Sequence, residues 1–201
     1  MHKKIIALTL ICSVLGSGTF STFAFATTNT TATATATNQI SQTLKNKVAP
    51  FIETTQSGFF LSKAGYSSLN STELKIVLES IDNTNTALKN ASKTGTLSKI
   101  GTTFVQNKIE FSIQSTTAGV NKAVFYWWGI SIYVSGNNVR LCATGAAGAT
   151  GAIVAAIPGL GWTIAGGVVG AIAATMAGDN TYNAKIVTYY SVTQQFYVVN
   201  Q

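Results

Sequence analysis

Histidine occurs once in this chain, at His2, and cysteine twice, at Cys12 and Cys142. Proline also occurs twice, at Pro50 and Pro158, and charged residues make up 9% of the whole. These scarcities exclude much chemistry. His2 and Cys12 fall in a segment read below as a removable leader. Without them no Ser-His-Asp or Cys-His nucleophile can be assembled. Zinc sites built from His and Cys are excluded too. An intramolecular disulfide would need a partner that Cys142 then lacks. Cys142 is either a small packing residue or a free thiol for an intermolecular bond. The acidic residues are Glu53, Glu73, Glu79, Asp82, Glu110 and Asp179. Most stand beside Lys or Ser on a polar helical pattern, which reads as a solvated face rather than the carboxylate pair of a glycoside hydrolase. The glycines at 145, 148 and 151 lack the order and strand context of a nucleotide loop. The expectation is a protein that is not an enzyme, with no cofactor, no metal and no nucleic-acid partner.

What is present begins with a secretion signal. His2, Lys3 and Lys4 form a basic head, Ile5 to Leu15 an apolar middle, and Ala24-Phe25-Ala26 a small-x-small cleavage site. The expected divisions are a signal peptide over 1–26, a Thr/Ala-rich low-complexity leader over 27–38, a polar helical region over 39–122 that could serve as a pro-region, and an aromatic, apolar region over 123–201. Loss of Lys3 and Lys4 leaves 11 Lys and Arg against 6 Asp and Glu, a net charge of +5. The chain is expected outside the cell, with access to membranes after release.

In the polar region the spacing predicts a helix over Gln39–Val48, a short one around Phe51–Ala64, and a long one over Ser71–Asn90. The long one has Asn70 as cap and Glu73 completing a capping box. A further helix is expected over Leu97–Ile113.

The stretch with the strongest bearing on function is Leu141–Gly178, 38 residues with no charge, bounded by Arg140 and Asp179. The Pro-Gly-Leu-Gly element Pro158–Gly161 divides it into two arms of 17 residues, Leu141–Ile157 and Trp162–Gly178, with Pro158 and Gly159 opening the reversal. As helices each arm would be about 25 Å long. That is just short of the ~30 Å hydrocarbon layer. Gly148, Ala152 and Ala156 make one small-residue ridge. Gly166, Gly170, Ala174 and Gly178 make another, the pattern that brings helix backbones close in lipid. The hairpin would have Arg140 and Asp179 side by side at its base and Trp162 at its tip. A hairpin apolar on all sides can equally be buried in a soluble core.

Flanking it, 123–135 reads as a strand carrying Tyr126, Trp127, Trp128 and Tyr133, followed by a turn at Ser135–Asn138. Ala184–Val192 and Gln195–Val199 read as two more strands. The fold class expected is α+β: an N-terminal helical region, then a small antiparallel sheet interrupted by the helical hairpin. The aromatics suit either a sheet core or a belt at lipid headgroup depth.

The Tyr126–Gly129 segment YWWG, the turn, the uncharged Gly/Ala-rich hairpin and the closing aromatic strand pair resemble small secreted proteins of Gram-positive bacteria. Their order also resembles precursors of secreted killing peptides, which carry a signal, a polar helical pro-region and an apolar C-terminal toxin segment. The resemblance spans roughly 123–201. The chain departs from those precursors in lacking a cysteine pair near the start of its apolar segment. The resemblance implies a bacteriocin-like, membrane-active protein. Its expected partner is the anionic bacterial membrane. A homo-oligomer and a dedicated immunity protein are further partners it allows. The competing expectation is a secreted cell-surface binding module, with the hairpin buried and the aromatics facing a ligand.

Overall fold

The structure, a computed structural model, describes residues 40–107, 119–145, 148–176 and 181–201. The first helix, α1 (Gln42–Val48), starts behind Ser41, whose hydroxyl accepts the Leu44 N–H at 3.1 Å. Pro50 ends it by entering a single 3₁₀ turn, Ala49–Phe51. Two short strands follow, β1 (Ile52–Thr55) and β2 (Gly58–Leu61), paired antiparallel. The helix expected over Phe51–Ala64 is therefore a β-hairpin followed by the short α2 (Lys63–Ser68). Burial there alternates: Phe59 and Leu61 point inward while Phe60 is exposed. That is the period of a strand.

The helix expected from Ser71 is present as α3 (Ser71–Thr94), 24 residues long. Asn70 and Glu73 form the reciprocal capping box, with Glu73 N–H donating to Asn70 Oδ1 at 2.9 Å and Asn70 N–H to Glu73 Oε2 at 3.1 Å. Its buried stripe is Val77, Ser80, Ile81, Thr84, Leu88 and Ala91.

The remaining strands form one antiparallel meander, β3 (Leu97–Ile100), β4 (Thr103–Asn107), β5 (Lys122–Tyr126), β6 (Gly129–Val134), β7 (Lys185–Tyr190) and β8 (Gln195–Asn200), in that spatial order. The sheet has twice the three strands expected. The helix expected over Leu97–Ile113 is, as far as it is described, the β3–β4 hairpin. Gly101, at φ +58°, supplies the left-handed backbone of its two-residue turn. The single strand expected over 123–135 is likewise a hairpin, with Trp127 and Trp128 as its turn. Residues 39–122 and 123–201 share this one sheet, since β4 pairs with β5.

Cross-strand partners lie on the same face of a sheet. One face therefore carries Phe104, Phe125, Ile130, Tyr189 and Phe196 across five strands, with Gln106, Ala123, Ile132, Val187 and Val198 in the next row. This face meets α3 and the helices inserted between β6 and β7, and most of it is fully buried. The other face carries Tyr126, Tyr133, Tyr190 and Tyr197.

The insertion corrects the hairpin expectation in two respects. The expected turn at Ser135–Asn138 is the start of a helix, α4 (Gly136–Ala143). Asn121 Oδ1 fixes that start, accepting from Ser135 N–H at 2.9 Å and Asn138 Nδ2 at 3.1 Å. The first arm is not one 17-residue helix but the end of α4 and α5 (Ala149–Ala156). Gly145 and Gly148, at φ +61° and +97°, are in the left-handed region that ends one helix and precedes the next. The second arm is α6 (Trp162–Thr175), 14 residues. Among the described residues no helix is long and apolar enough to cross a membrane.

Candidate functional site

The uncharged helices lie on the core face with one side inward. Ala149, Ile153, Ile157, Leu160, Ala165, Val168, Ile172 and Met176 are buried. The five Ile, Leu and Val side chains among them, at about 1.5–3 kcal/mol each, hold the pair with a gross burial on the order of 10 kcal/mol. Two glycines set how closely it seats. A Cβ on Gly167 would fall 2.2 Å from the Phe196 ring, so this glycine lets α6 rest on β8. Gly159, at φ +89°, puts its backbone against α3, where a Cβ would stand 2.3 Å from Ala91 Cα. Pro158 and Gly159 thus reverse the chain and also dock it on the last turns of α3.

The outward side is different. Among the described residues, a Cβ on Gly166 or Gly148 would meet nothing within 4 Å. Gly148, Ala155, Thr163, Ala174 and Thr175 are exposed, and Ala152 and Gly170 are half-buried. Trp162, at the head of α6, is 66% exposed. No charged side chain stands anywhere on α5 or α6. Of the two expected ridges, Gly166 and Ala174 look away from the sheet, while the glycine that packs on it is their neighbour Gly167. Arg140 is exposed within α4. Asp179 lies outside the described residues, so the expected hairpin base is not placed. Cys142 is fully buried, and burial pushes its thiol up to about 11. It is a packing residue of α4, protected from exchange at neutral pH.

The aromatics gather at the end of the sheet defined by the Trp127–Trp128 turn. The two tryptophans diverge, as adjacent residues do: Trp127 is 7% exposed and joins the core, whereas Trp128 turns to the other face. There it stacks on Tyr126 at 4.9 Å and 12°, with Tyr190 beside it at 5.3 Å and Tyr197 beyond at 5.5 Å from Tyr190. Lys45, reaching from α1, holds its ammonium 3.7 Å over the Trp128 ring and 4.6 Å over Tyr190, and donates to Tyr190 Oη at 3.3 Å. Burial lowers the Lys45 pKa from its ordinary value. Burial raises that of Tyr126, with the nearby Tyr133 adding to it. Tyr133 lies further along the same face under Lys122, whose ammonium is 4.4 Å from its ring.

A buried polar node ties this end together. Ser191, in the β7–β8 turn, places its Oγ 3.0 Å from Ser80 Oγ, 3.3 Å from Thr84 Oγ1, and 3.2 Å from the carbonyls of Ser80 and Trp128. Asn83 Nδ2 donates to the Ser191 carbonyl at 3.1 Å. Leu160 and Ile164 line a small cavity with Tyr189, Ser191 and Gln194, so the head of α6 lies toward this same end.

Sequence reasoning found Tyr126, Trp127, Trp128 and Tyr133 and the aromatic strand that holds Tyr190, but missed Lys45 and Ser191 as their partners. Lys45 carries one usable signal, a basic residue flanked by Leu44 and Val48 on a short amphipathic helix. Its aromatic partners are 83 and 145 residues away, beyond any local pattern. Compared with known proteins, the chain matches no family model, no curated protein and no solved structure.

Proposed function

We propose that this is a secreted, membrane-active antibacterial protein. In water it stores the α5–α6 pair against its own sheet, and it delivers the pair to anionic bacterial membranes. The observation that carries the reading is the outward side of the pair, uncharged along both helices and headed by a two-thirds exposed tryptophan. A helix that merely covers a core normally keeps charged residues on its solvent side. The net charge of +5 after leader removal draws the protein to anionic lipid. Trp162 and the Trp128 cluster are residues of the kind that settle at headgroup depth.

At about 21 Å, α6 falls short of the hydrocarbon layer. Contact therefore begins at the interface, and deeper insertion requires the inward apolar side to exchange sheet for lipid. The open Gly148 and Gly166 surfaces would allow copies to associate once in lipid. A dedicated immunity protein would protect the producing cell. The test is dye release from loaded vesicles. Leakage from phosphatidylglycerol vesicles and none from phosphatidylcholine is expected. Neither binding nor leakage between pH 5 and 7.5 would overturn the reading.

A second reading, a secreted surface-binding module, is favoured by the close seating of Gly159 and Gly167, which keeps the pair in place. It expects hairpin amides that stay protected from exchange in the presence of anionic vesicles.

A further inference from the structure

Between α1 and the Trp127–Trp128 turn lies a cleft of about 260 Å³, whose lining includes Gln42, Lys45, Asn46, Thr102, Trp127 and Trp128. No acidic side chain lines it. Its cation is held rather than waving. The aromatic rings fix the Lys45 ammonium from one side, and Tyr190 Oη accepts one of its three N–H bonds. Among the described residues no carboxylate pairs with it, in contrast to Lys47, two positions on, which bridges Glu73 at 2.7 Å. Gln42 Nε2 donates to Asn46 Oδ1 at 2.9 Å, which turns the Asn46 carboxamide so that its N–H₂ group remains for another partner. Thr102, a hydroxyl-bearing residue, also lines the cleft. A partly desolvated ammonium with free N–H bonds, neighbouring amide and hydroxyl groups and an apolar aromatic wall match a phosphate ester, anionic at its oxygens and apolar beyond them.

We propose that this cleft is a phosphate-ester site, taking either a lipid headgroup or a soluble phosphate ester, with Lys45 as its anchoring residue. In the lipid case it rests on the membrane reading above and sharpens it. The cleft and the head of α6 lie toward the same end of the sheet, on its two opposite faces.

The test uses the full mature chain, Lys45→Gln, and Lys99→Gln as a control with the same loss of charge on an exposed strand. Binding of inorganic phosphate and glycerol phosphate is followed by tryptophan fluorescence, since Trp128 lies directly under the ammonium. Binding to phosphatidylglycerol and phosphatidylcholine vesicles is followed by sedimentation. The expected result is a loss of about tenfold in phosphatidylglycerol affinity for Lys45→Gln and under twofold for Lys99→Gln. Tyr190→Phe, which keeps the ring and removes the acceptor, should lose about threefold, and it serves as the test if Lys45→Gln fails to fold.

Equal losses in Lys45→Gln and Lys99→Gln would overturn the site while leaving the membrane reading intact. Binding of glycerol phosphate that depends on Lys45, without vesicle binding, would keep the site, assign it a soluble ester, and overturn the membrane reading. No binding of any of the four probes by the parent protein would end both.

Discussion

Two sets of helices cover the same face of one sheet, and they are held there by opposite means. The long helix α3 is capped at its start by Asn70 and Glu73, and carries Lys75, Asp82 and Lys89 toward water. It is tied to the sheet by hydroxyls, with Ser80 and Thr84 meeting Ser191. The α5–α6 pair has no side-chain cap at either start, no charge and, among the described residues, no hydrogen-bonding node of that kind. It is held by apolar burial and by two glycines that let backbone and ring come close. Polar clamps lose their partners when a helix leaves its site, and in lipid they become a cost. Apolar burial is recovered in lipid nearly in full. In the function proposed above, α5–α6 is the pair whose attachment exchanges for a membrane, while α3 stays in place.

The comparison is broken most strongly at Gly159. Gly159→Val forces a β-branched residue into a left-handed backbone against Ala91 Cα, and should cost about 3–4 kcal/mol in urea unfolding. If the pair is the exchangeable part, this variant should also bind vesicles more readily than the parent. Next comes the opposite clamp. Ser191→Ala removes the hydroxyl shared by Ser80, Thr84 and the Trp128 carbonyl, and should cost about 1–3 kcal/mol. Its hydrogen-exchange signature should appear in α3 and the Trp127–Trp128 turn rather than in α6.

Neighbouring glycines sharpen the contrast. Gly167→Ala should destabilise by about 1–2 kcal/mol, because its methyl meets the Phe196 ring. Gly166→Ala faces open space and should stabilise by about 0.5–1 kcal/mol, the ordinary gain of alanine in a helix. Thermal denaturation of the two single variants gives the sign directly. If Gly166→Ala were also destabilising, that face would be packed against something.

The smallest effect is a titration. Lys47, with the Asn70 N–H, holds the Glu73 carboxyl below its ordinary value. The cap's contribution is therefore present above the unfolded value and is lost as pH falls through the folded one. Amide exchange in the first turn of α3 should rise over that acid range. The first turn of α6, with no titrating group, should not respond.

Legibility followed the range of the interactions. The α3 capping box could be read because Asn70 and Glu73 are three residues apart and each meets the other's backbone. The strands β7 and β8 could be read from their β-branched and aromatic runs. The β3–β4 hairpin was hidden because Leu97, Ile100 and Phe104 also fit a helical spacing; the turn at Gly101 decides the matter, and a strand partner in β5 rewards it. The break in the first arm was visible only as glycines at 145 and 148. Whether a glycine bends a helix or seats it depends on what packs nearby.

The site divides in the same way. Trp128 and Tyr126 stood out by composition, whereas the cation above them arrives from α1 through the fold.

By itself the sequence determined the uncharged character of 141–178, the reversal at Pro158-Gly159 and the capped helix α3. These are properties of composition and of neighbours within a few residues. The tertiary structure alone decided which glycine touches a ring and which faces open space, and that Lys45 lies on Trp128 and Tyr190 rather than on a carboxylate. The physical reason is that close packing and ammonium placement depend on atoms brought together across the sheet, at separations in sequence that no local pattern encodes.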